Sequence, residues 1–148
     1  MTPGRSIGHD GQMAPEVPGS GLARLGFVTG SWLFVTCLVI QVFLVGLDVF
    51  ARIGGSVHRD FAYVYGWLAP ILVLLAEVAR VPRRTRTLTV VLLVLFAVQT
   101  VLPSLRDQVP ILAALHPVNA LAIFGLAIVV ARRATGLIGP DPGHAEGR

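Results

Sequence analysis

Residues 25–50 read LGFVTGSWLFVTCLVIQVFLVGLDVF, and this stretch decides the fold. It carries a single charged residue, Asp48, and that residue sits near its far end. A helix needs about 20 apolar residues to cross the hydrocarbon core of a bilayer. The run is too long for the core of a signal peptide, which is about 7–15 residues. It reads as a retained membrane-spanning helix.

Three further runs follow, over about 57–79, 87–103 and 109–131. None alternates with a period of two, and four short strands could not close a barrel. Helices satisfy their own backbone groups, so they are what an open arrangement in lipid permits. Short loops make consecutive helices antiparallel neighbours. The expected architecture is an all-α, integral membrane four-helix bundle running up, down, up, down over residues 25–133.

Composition agrees. The chain has 148 residues, of which 54% are hydrophobic and 14% charged. A soluble domain carries about 25% charged residues. Mean hydropathy is +0.74. The net charge of +4 does not indicate nucleic-acid binding, because the arginines lie scattered at helix ends rather than on one basic face. The one cysteine, Cys37, excludes an intrachain disulfide. No nucleophile–base pair, P-loop or glycine-rich phosphate motif is present. Residues 1–24 and 134–148 are rich in Gly and Pro and are expected to be disordered tails.

Arginine sets the orientation. Arg5 and Arg24 flank the first span, Arg80, Arg83, Arg84 and Arg86 fill the second loop, and Arg132 and Arg133 end the fourth span. The opposite side holds Arg52, Arg59 and Arg106. The positive-inside rule places both termini in the cytoplasm of a multi-pass cell-membrane protein, with the lipid bilayer as its first partner.

The chain also repeats itself. Gln41 precedes His58 by 17 residues, and Gln99 precedes His116 by the same 17, at an offset of 58 positions. The same offset pairs Leu44 with Leu102, Leu47 with Leu105, Ile53 with Ile111 and Ala62 with Ala120. Leu and Ala matches come easily in so apolar a chain. The Gln and His matches do not, since the chain has four of each. This points to a tandem duplication of a two-helix hairpin, with the two halves related by an axis along the membrane normal.

The repeated polar residues all fall in the half of the bundle remote from the arginine-rich loop. Ionisable groups at membrane depth are costly and usually face the bundle interior. Two histidines on different helices of a bundle are a geometry that holds b-type haem. His58 and His116 are the candidate metal ligands, and Gln41 and Gln99 the candidate contacts beside them. Arg59 and Arg106 lie on the same side and suit carboxylate groups such as haem propionates. The alternative is that both histidines bond other helices and hold no cofactor. A quinone or other small-molecule site in this half is a third reading.

The segments His58-Arg59-x-x-Ala62 and Leu115-His116-Pro117-Val118-Asn119-Ala120 resemble those of small bacterial four-helix membrane proteins of unassigned function. More distantly they are similar to one half of haem A synthase. That resemblance implies a four-helix fold and haem ligation by His58 and His116. The carboxylate that this family carries three residues before its first histidine is here Gly55, and its outer-loop cysteine pair is absent. Its oxidation chemistry is therefore not expected. A haem held between these histidines would serve electron transfer or a redox accessory role, with a quinone or a membrane redox partner.

Overall fold

The computed structural model describes residues 19–53 and 56–138. Helix α1 spans Gly19–Gly46 and passes into a π-helical turn, Leu47–Ala51. Helices α2 (Val57–Tyr65) and α3 (Leu68–Val78) lie end to end. Helix α4 covers Arg83–Val101 and tightens into a 3-10 turn over Leu102–Leu105. A short α5 (Pro110–Ala113) leads into α6 (Leu115–Thr135). The described residues contain no strand.

Among the described residues, four stretches are long and apolar enough to cross a membrane: Gly21–Ala51, Val57–Val78, Arg83–Leu105 and Pro110–Thr135. The protein is an all-helical, multi-pass membrane protein. The first helix begins at Gly19, so residues 19–24, expected in the tail, are helical. Pro18 does not prevent this, because proline costs a helix least at its start. At the other end α6 extends to Thr135, two residues past the expected boundary. Residues 1–18 and 139–148, with His9, His144 and most of both expected tails, lie outside the described residues, as does Gly55.

The helix breaks follow from proline. Pro70 has no N–H to offer the Gly66 carbonyl. Ala69 takes that carbonyl instead, at 3.1 Å, and the second span divides at Gly66–Trp67. Pro103 has the same effect on α4, whose last turn tightens to Leu102–Leu105. The turn between α3 and α4 is closed by Val81 N–H donating to the Ala76 carbonyl at 3.1 Å, with Arg80 in the left-handed region at φ 51°.

Each span packs on its sequence neighbours, and the first and fourth close the ring through contacts between α1 and α6. Trp32 Nε1 donates to Thr135 Oγ1 at 3.0 Å across that last seam. A ring of this order is what a duplicated hairpin with a two-fold axis along the bundle requires.

The bundle's two ends differ. Toward the arginine-rich turn the core is dense: Phe27, Phe34, Leu72, Leu92, Ile123 and Val130 are fully buried. Ala76, Ala79, Ala131 and Ala134 have no exposed surface and let the helices approach closely. Gly26 and Gly30 of α1 face Leu75 and Leu72 of α3 for the same reason. At the far end, the π-helical turn and α5 bury no residue. The polar repeat residues lie there.

Candidate functional site

A cluster of aromatic rings floors the polar half. Phe34 from α1, Tyr65 from α2 and Phe96 from α4 meet edge to face, with centroids 5.6–5.7 Å apart. Phe61 extends the cluster, 5.1 Å from Tyr65. Edge-to-face packing suits the ring quadrupoles. A Cβ on Gly66 would stand 2.8 Å from the Phe96 ring, so glycine is what lets the ring in. Phe34 and Phe96 were not legible as site residues, because a lone Phe in an apolar span looks like any other core residue.

Above this floor the second hairpin builds a closed network. Asn119 Nδ2 of α6 donates to the Leu95 carbonyl at 3.0 Å and to Gln99 Oε1 at 2.7 Å. Gln99 Nε2 meets His116 Nε2 at 3.2 Å. The other ring nitrogen, His116 Nδ1, meets the Gln99 backbone carbonyl at 3.2 Å. That carbonyl is available because Pro103, four residues on, has no N–H to bond it. Asn119 thus has both of its partners on α4.

The first hairpin repeats the pairing and not the closure. Gln41 Nε2 of α1 donates to the backbone carbonyl of His58 at 2.8 Å. Gln41 Oε1 and His58 Nδ1 are buried and have no hydrogen-bond partner. The position matching Asn119 is Phe61, which has no polar group to offer. Each glutamine therefore touches its own histidine, 17 residues on, in both halves. His58 and His116 belong to spans two and four, which sit across the ring from each other.

The arginines stay outside. Arg59 and Arg106 are exposed and pair loosely with their own neighbours, Arg59 Nε 3.6 Å from Asp60 and Arg106 Nε 3.5 Å from Asp107. A groove of about 300 Å³ opens between the second and third spans, bounded by Ala62, Gly66, Trp67, Pro70, Phe96 and Thr100. Ala62 and Gly66, which follow His58 on its own helical stripe, thus border open space on one side. Asp48 lies half-buried in the π-helical turn.

A model of a family of unknown function, DUF6220, matches residues 41–105. The matched stretch begins at Gln41, includes His58 and Gln99, and stops before His116. No curated protein, haem A synthase included, and no solved structure matches the chain.

Proposed function

We propose that this membrane protein holds b-type haem between His58 and His116 and serves as an electron carrier or redox accessory. The observation that carries this reading is His58 Nδ1, a buried ring nitrogen without a partner, in the same half of the bundle as His116. It occurs in the one half of the bundle that is not tightly packed.

The residues present fit the group in three respects. His58 Nδ1 is a buried ring nitrogen without a partner. His116 turns Nδ1 toward a backbone carbonyl, the arrangement that orients a ligating imidazole and raises its basicity. Arg59 and Arg106 are held only by weak contacts to neighbouring aspartates, and exposed ion pairs of this kind contribute little. They are free to turn toward anionic propionates. One contact has to yield, since the Gln99 amide stands against His116 Nε2. Bound haem would supply one-electron redox chemistry, with its potential set by axial ligands, hydrogen bonding and burial. A quinone or a redox protein in the same membrane is the partner such chemistry needs.

The arginine distribution further orients the bundle in the cell membrane with both termini and the Arg80–Arg86 turn in the cytoplasm. The histidine half then faces outward. Reporter fusions after Arg84 should read cytoplasmic and fusions at Arg106 external. An external reading at Arg84 would reverse the assignment.

A cofactor-free accessory role is the second reading, favoured by the closed Gln99–Asn119–His116 network, which uses both ring nitrogens of His116. An absorbance spectrum separates the two. Protein purified from haem-replete cells should show a Soret band on the first reading. A colourless preparation would leave the structural role.

A further inference from the structure

We propose that Asn119 is a positioning residue. Acting through Gln99, it holds His116 in the tautomer with its proton on Nδ1 and a lone pair on Nε2. The proposal concerns the protein without cofactor and stands whether or not haem binds.

The argument starts from the two ends of the network. Both are backbone carbonyls, Leu95 O and Gln99 O, and a carbonyl oxygen only accepts. Asn119 must therefore turn its amide nitrogen toward Leu95 O, at 3.0 Å. The same nitrogen faces the Gln99 side chain at 2.7 Å, so the Gln99 atom there is its oxygen. The amide nitrogen of Gln99 is then the atom facing His116 Nε2 at 3.2 Å. An amide nitrogen only donates, so Nε2 has to accept and carries no proton. The proton of a neutral imidazole must sit on Nδ1, and Nδ1 faces Gln99 O at 3.2 Å, which requires a donor. The two ends impose the same answer independently.

Two sequence features make this possible in the second hairpin alone. Pro103 frees the Gln99 carbonyl, because Leu102 N–H bonds Val98 and residue 103 has no N–H. Asn119 supplies the donor that orients the Gln99 amide. The first hairpin has Phe61 and Val45 at the matching positions, and there the glutamine oxygen and the histidine Nδ1 are left unpaired. His116 is thus the fixed histidine of the pair and His58 the adjustable one.

Nitrogen-15 spectra of the full-length, haem-free protein labelled at histidine test this. His116→Ala identifies the His116 ring signals by their loss. The wild type should show His116 with one protonated ring nitrogen, Nδ1, and one unprotonated, Nε2, without averaging. Asn119→Leu should let the Gln99 amide turn over, and the two His116 signals should move toward averaged positions. A His116 ring protonated on Nε2 in the wild type would overturn the proposal, as would an unaveraged Nδ1–H tautomer in Asn119→Leu. If that variant does not fold, the wild-type spectrum decides alone, since an averaged or Nε2-protonated ring there is enough to refute it.

Discussion

The two hairpins carry the same glutamine and the same histidine, and they use them differently. In the second, Gln99 bonds the imidazole and is itself held by Asn119. In the first, Gln41 reaches only the backbone carbonyl of His58 and leaves two buried polar atoms unpaired. One residue accounts for much of the difference, Asn119 against Phe61. A phenyl ring contributes to the aromatic floor but cannot orient an amide. The two halves share the Gln–His spacing, yet one is a closed brace and the other keeps unsatisfied groups. An unpaired buried polar group costs about 1–3 kcal/mol, so its persistence here is what the haem reading would explain.

The largest expected effect separates the halves by colour. If haem is bound, His116→Ala and His58→Ala should each remove the Soret band of a bis-histidine site. Spectra of the purified variants check this, and an unchanged band in either would release that histidine from ligation. Next comes the floor shared by both halves. Gly66→Leu drives a side chain into Phe96, already 2.8 Å from where a Cβ would stand, and overpacking of this kind costs roughly 1–3 kcal/mol. Unfolding in mixed detergent micelles measures the loss.

The third test compares the glutamines directly. Gln99→Leu removes the Asn119 and His116 partners together and should cost about 1 kcal/mol, at about 0.6 kcal/mol for each interhelical bond in a membrane. Gln41→Leu loses one bond and also removes an unpaired carbonyl, so it should stay within about 0.5 kcal/mol of wild type. Equal losses would mean the halves are equivalent after all. The smallest effect is a gain. Phe61→Asn places the missing amide beside Gln41 and should recover about 0.6 kcal/mol, offset by what the aromatic cluster loses. A fixed His58 tautomer in that variant would show that Asn at this position is what closes a half.

Much of this was legible in the sequence. Apolar length fixed the spans to within a few residues at the ends of α3 and α4–α6, because lipid thickness and helical rise leave little freedom. The helix start was missed at Gly19, where glycine and serine gave no signal for the six helical residues that precede Leu25. The 17-residue spacing marked both Gln–His pairs as a repeat, and the structure adds that each glutamine bonds its own histidine residue. They meet because a hairpin with a short loop brings residues equally far from the turn to the same depth.

What the sequence by itself determined is the membrane bundle and the order of its spans, set by hydrophobic length. Only the tertiary structure decided which polar atoms meet. Hydrogen bonding depends on ångström-scale placement, and the freed carbonyl at Gln99, the donor at Asn119 and the ring of Phe96 against Gly66 come together through packing between helices. Spacing along one chain does not carry that information.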